Sequence, residues 1–174
     1  MTRVILALLL TVSSLAQAQK QAPDWYALTT GDEFYSALTV NDSGNVFGQW
    51  CYFESGNCMY LVSLTTACEK GSSYSILANT DAGAQMLQLQ CFGPYDTDSG
   101  KRHRYAFSDF DVIDGLVRKA NKIGFAMALQ DGYFNVVRFT LLTSNAALDK
   151  MREATLARIA KPKGGTQSTR DTRL

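Results

Sequence analysis

Period-two alternation of apolar and polar side chains runs through much of the chain between Phe34 and Leu141, and two stretches switch to helical spacing. Phe34, Leu38 and Val40 share one parity of a first strand, which the turn formers Asn41-Asp42-Ser43-Gly44-Asn45 end. Residues 46–53 and 59–64 are apolar on both parities, the pattern of strands covered on two faces, and Glu54-Ser55-Gly56-Asn57 turns the chain between them. A second hairpin is predicted from 73–79 and 84–92 around Thr80-Asp81-Ala82-Gly83. In its later strand Leu87, Leu89 and Cys91 point to the core, and Gln88 and Gln90 point away.

Residues 93–104 read as a polar loop. Over 109–121 the apolar positions Val112, Ile113, Leu116, Val117 and Ala120 recur at helical spacing, with Asp109 or Asp111 as the N-cap. Ile123, Phe125, Met127 and Leu129 then alternate, as do Val137, Phe139 and Leu141. A two-residue Asp131-Gly132 turn between these strands would set Phe125 opposite Arg138 and split the apolar faces. A three-residue loop, Gln130-Asp131-Gly132 with Gly132 left-handed, pairs Phe125 with Val137 and Ile123 with Phe139, and is the form expected. Thr143-Ser144-Asn145 caps a last helix over about 146–160, with Leu148, Met151, Thr155 and Ile159 on one stripe and Pro162 as its stop.

The ends change the meaning of this pattern. Met1-Thr2-Arg3, an apolar run over 4–12 too short to span a bilayer, and Ala16-Gln17-Ala18 read as a signal peptide over 1–18, which implies a periplasmic or secreted product. One domain over 19–160 follows, then a tail over 161–174 that is rich in small and polar residues and expected to be disordered. In the leading segment Trp25 and Tyr26 are expected to cover an edge of the core. Loss of Arg3 with the leader leaves 16 of the 17 basic residues against 16 acidic ones, so nothing steers the mature chain to nucleic acid or an anionic membrane.

In an oxidising compartment the even set Cys51, Cys58, Cys68 and Cys91 is expected to form two disulfides. Four cysteines allow three connectivities. The two hairpins favour Cys51–Cys58, across a turn, and Cys68–Cys91, where the second hairpin folds back. Neither zinc-ligand spacing nor a Cys-x-x-Cys redox motif is present, and no metal or cofactor is expected.

Catalytic chemistry finds little to work with. His103, the single imidazole, lies in a basic run, Lys101-Arg102-His103-Arg104, without the buried orienting partner a catalytic base needs. That run, with Trp25 and Tyr26, is the candidate binding surface. Asp96, Asp98, Asp109, Asp111 and Asp114 are close enough in sequence to supply an acid pair for a hydrolase, although turn and helix-start positions account for most of them. Asp96-x-Asp98 hints at a calcium loop, but Gly100 and Phe107 stand where the later ligands belong. Trp50, Tyr52, Phe53 and Tyr60 cluster on the central strands, where packing explains them and a sugar or peptide platform is the sharper alternative. Asn41-Asp42-Ser43 is formally a glycosylation acceptor.

A signal peptide, Trp50 beside the first cysteine, Cys58 soon after, then Ile113-x-x-Leu116 through Phe139-x-Leu141-Leu142-x-Ser144-x-Ala146-x-Leu148 together resemble the invasion-associated locus B family of exported bacterial proteins. The resemblance spans residues 46–151; direct adjacency of Trp50 and Cys51, and the extra pair Cys68 and Cys91, depart from the family pattern. It implies a β-sandwich-like envelope protein linked to host interaction, with no catalytic residues to carry over. The expectation is a mainly β, antiparallel, sandwich-like domain with two peripheral α-helices, stapled by disulfides. It binds a protein partner in the envelope or host rather than catalysing a reaction; an inhibitor or immunity protein that blocks an envelope-targeting enzyme is the alternative, and an acid-pair hydrolase the third.

Overall fold

The structure, a computed structural model, describes residues 24–98, 100–129 and 132–160. The expected signal peptide and the expected disordered tail lie outside the described residues. Strands β1 (Tyr26–Leu28), β2 (Phe34–Val40), β3 (Val46–Tyr52), β4 (Cys58–Leu64), β5 (Ser73–Thr80), β6 (Gly83–Thr97) and β7 (Gly100–Phe107) precede helix α1 (Phe110–Lys119). Strands β8 (Lys122–Ala128) and β9 (Phe134–Thr140) and helix α2 (Ser144–Ala160) follow. All pairings are antiparallel, in the order β1-β2-β3-β4-β7-β6-β5-β8-β9.

The described strands form one continuous nine-stranded sheet curled into a half-barrel, in place of the sandwich-like arrangement expected. Phe47 on β3 shows the curl directly. Its ring lies 5.1 Å from Phe125 on β8 and 5.4 Å from Phe139 on β9, although four and five strands separate these partners in the sheet. Strand twist accumulated across nine strands brings distant strands round to face one another, so one sheet encloses its own core.

Both helices lie at the edge of the fold and bury one stripe against the sheet. Ile113 and Val117 of α1, and Leu148 and Met151 of α2, sit in the same buried cluster as Phe47, Phe125 and Phe139. Helix α2 lies chiefly over β2, with β1 and β3 beside it. On β2 small Ala37 and Thr39 are buried and let the helix approach, while on the other parity Phe34 and Leu38 are half-buried and Val40 is exposed. Along α2 the buried stripe ends at Thr155, and Ile159 is exposed.

Local chemistry explains the junctions. Asp109 caps α1, its carboxylate accepting from the Val112 N–H at 3.1 Å. Between β8 and β9 the register pairs Phe125 with Val137 and Ile123 with Phe139, and Gly132 has φ +84°, as the three-residue loop requires. Residues 93–104, expected as a loop, instead form the hairpin of β6 and β7. Charge hid the alternation there, because arginine stems pack while their heads find polar partners. Cys51 lies directly opposite Cys58 on β3 and β4 with Cα atoms 4.0 Å apart, and they are bonded. Cys68, in the loop after β4, is bonded to Cys91 at a Cα separation of 6.1 Å. These are the pairs favoured from the sequence.

Candidate binding face

Alternation along β2, β3, β4 and β7 gives this half of the sheet two different faces. The inner one carries Ala37, Phe47, Cys51, Tyr60, Val62, Tyr105 and Phe107 into the core. Their neighbours face outward: Phe34 and Leu38 on β2, Val46, Trp50 and Tyr52 on β3, Met59, Leu61 and Ser63 on β4, and Arg104 on β7. Leu61 and Ser63 are nonetheless buried, since larger side chains cover them. Trp50, Tyr52, Phe34, Met59 and Arg104 remain half-exposed.

The cover is organised around a pocket of about 120 Å³ bounded by Phe34, Trp50 and Tyr52 on one side and Ser63, Tyr95 and Arg104 on the other. The Phe34 and Tyr52 rings meet at 5.4 Å. The guanidinium of Arg104 lies 4.6 Å from the centre of the Tyr95 ring, a cation–π contact, and it has no carboxylate partner among the described residues. Tyr95 O–H and Ser63 Oγ stand 2.5 Å apart, so one hydroxyl donates to the other and the second keeps a free hydrogen.

The sequence candidates scatter around this face. Arg102 is buried and donates to Asn45 Oδ1 at 3.1 Å and to the Ser43 carbonyl at 3.4 Å. His103 is buried too, its Nδ1 accepting from the Cys68 N–H at 3.2 Å, so it supports the loop that carries the second disulfide. Lys101 is exposed, and Tyr26 is exposed on β1. Trp25 is buried, with its indole N–H donating to the Thr140 carbonyl at 2.8 Å. Of the basic run, only Arg104 meets the aromatic pocket. The aromatic cluster divides as well: Tyr60 points into the core, while Trp50 and Tyr52 point out. The Asn41 side chain is engaged at both ends, accepting from the N–H groups of Ser43 and Asn45 and donating to the Arg138 carbonyl.

The acids do not gather into one working pair. Asp114, in α1, accepts from Tyr60 O–H at 2.7 Å, from Arg152 of α2 at 2.6 Å and from Arg118 at 3.2 Å. Arg152 also donates to Gln49 Oε1 at 2.8 Å, which ties β3, β4, α1 and α2 together. Burial alone would push the Asp114 carboxyl up, but the Tyr60 hydroxyl and the two guanidiniums outweigh it and hold the group below the ordinary carboxylate range. The same arrangement pushes the Tyr60 hydroxyl strongly up, through burial first and the adjacent carboxylate second. Asp109 and Asp111 line an open groove of about 370 Å³ beside β6, where Asp109 is spent as the helix cap. Asp96 and Asp98 are exposed near the β6–β7 turn. No group of three or more metal-ligating side chains occurs among the described residues.

Sequence reasoning missed Tyr95 and Ser63 as members of the face. Their signal was weak, because Tyr95 sits past the irregularity between Cys91 and Gly93, which shifts the register of β6 by one residue. Comparison of the chain with protein-family models, with curated proteins and with solved structures finds no match in any of the three.

Proposed function

We propose that the chain is an exported, non-enzymatic binding protein of the bacterial cell envelope that holds a protein partner against the outer face of β2, β3, β4 and β7. The observation that carries this reading is the half-exposed set Phe34, Trp50 and Tyr52 around an arginine that has no acidic partner among the described residues. Tyr, Trp and Arg are the residue types that anchor protein interfaces, because each combines a large contact area with a polar handle. Two disulfides suit an oxidising compartment, and no described helix is long and apolar enough to cross a membrane. The feature order that resembles the invasion-associated family supports a role at the host surface.

The test is photo-crosslinking in the living cell, with a benzoylphenylalanine placed at Tyr52 on the face or at exposed Leu156 on α2. A discrete protein adduct is expected at position 52 and not at 156. Adducts at neither position, or the same adducts at both, refute the proposal. An adduct with a single envelope-targeting enzyme assigns the protein to inhibition of that enzyme rather than to an accessory role.

A further inference from the structure

We infer that the outer-face pocket takes an acidic peptide segment of the partner: one apolar side chain enters between Trp50, Tyr52 and Phe34, and a neighbouring carboxylate pairs with Arg104. The inference rests on the binding-face reading and adds the chemistry of what is bound. Charge decides the anion. Arg104 has no carboxylate within ion-pair distance among the described residues. The outward positions of β2, β3 and β4 beside it carry no Asp or Glu at all.

A second, independent donor points the same way. Ser63 and Tyr95 bring two hydroxyl hydrogens to the pocket and use only one of them between themselves. The other has no acceptor among the described residues. A guanidinium and a free hydroxyl donor at one pocket wall suit the two oxygens of a carboxylate.

Size decides between a peptide and a saccharide. A pocket of about 120 Å³ admits one aliphatic side chain, whereas small-ligand sites commonly run to roughly 300 Å³ and more. A sugar acid would offer the same carboxylate on a larger rigid ring. The pocket therefore fits a side chain followed by an acidic residue on an extended chain.

The chain's two tryptophans make a built-in reporter, since Trp50 borders the pocket and Trp25 is buried against Thr140. The mature protein is titrated with the blocked peptides Gly-Leu-Asp-Gly and Gly-Asp-Leu-Gly, with their Asn counterparts and with glucuronic acid. The indole N–H signals are followed by NMR and assigned with the Trp25→Phe variant. One of the Asp peptides is expected to move the Trp50 signal at millimolar concentration while the Trp25 signal stays. The Asn counterpart should bind roughly tenfold more weakly. Arg104→Gln should produce a similar loss and Arg104→Lys a partial recovery, with an unmoved Trp25 signal reporting that the fold is intact. Equal binding of Asp and Asn peptides, no movement with either, or a response to glucuronic acid as large as that to the peptides overturns the inference. If any of these occurs while the position 52 crosslink persists, only the ligand chemistry falls; loss of the crosslink as well removes the binding face itself.

Discussion

The indole N–H of Trp25 donates to the carbonyl of Thr140 at 2.8 Å, a bond spanning 115 positions that joins the start of β1 to the corner where β9 gives way to α2. The same residue's backbone N–H reaches Thr143 Oγ1 at 3.3 Å, and its ring meets Phe47 edge-on at 5.8 Å. Thr143 sits at φ +65°, a costly conformation for a β-branched residue, next to this contact. Trp25 thus ties the first strand to the last.

Replacing Trp25 separates its two roles. Trp25→Phe keeps an aromatic ring but leaves the Thr140 carbonyl without its donor, and should cost about 1–2 kcal/mol in urea unfolding. Trp25→Ala also empties a fully packed site, and about 3–5 kcal/mol is expected. Wild-type stability for the Phe variant would show that the bond does not hold the edges together.

Gly48 on β3 faces Leu38, and a Cβ there would lie 2.3 Å from the Ala37 carbonyl oxygen and 2.6 Å from Leu38 Cα. Both obstacles are backbone, so they cannot swing aside. Gly48→Ala should destabilise by about 1–3 kcal/mol. Gly124→Ala, whose nearest atoms are 3.6 Å away, should be close to neutral. Equal thermal midpoints for the two variants would contradict this reading of the β2–β3 approach.

The carboxylate of Asp114 predicts a pH dependence. Its folded-state pKa lies below the unfolded value, so its stabilising effect is complete above that unfolded value and is lost as the pH falls through the lower folded one. Asp114→Asn should therefore be less stable than wild type at neutral pH, by about 1–3 kcal/mol. The gap should close as the pH drops from about 4. A gap of constant size from neutral to strongly acidic pH would mean that the charge is not what matters.

The disulfides close loops of different length, with sequence separations of 7 and 23. Chain entropy alone makes Cys68–Cys91 worth about 3 kcal/mol and Cys51–Cys58 about 2. Paired Cys→Ala variants should rank in that order by denaturant midpoint. The reverse order would show that strand pairing around Cys51 and Cys58, rather than loop length, governs the effect.

Apart from β6–β7, which read as a loop, hairpins were the most legible part of the chain, because a turn, its flanking alternation and its register are all local. Gly132 illustrates this: one left-handed residue sets which side chains of β8 and β9 meet. Arg102 and His103 were illegible for the opposite reason, since their partners Asn45 and Cys68 lie on other segments and their charge masks the alternation. Half of the candidate face shared that fate. Trp50 and Tyr52 stood out by type, but Ser63 and Tyr95 join them only through the β4–β7–β6 neighbourhood.

By itself, the sequence determined the two helices and the antiparallel hairpins other than β6–β7, which follow from spacing along the chain, and it favoured one of three cysteine pairings. Tertiary structure alone decided that the strands form a single curled sheet, that the helices join its core, and which parity of β2 faces inward. Alternation divides a strand into two faces without saying which one is buried. Only the accumulated twist, which carries Phe47 round to Phe139, decides which face is enclosed and which stays outside.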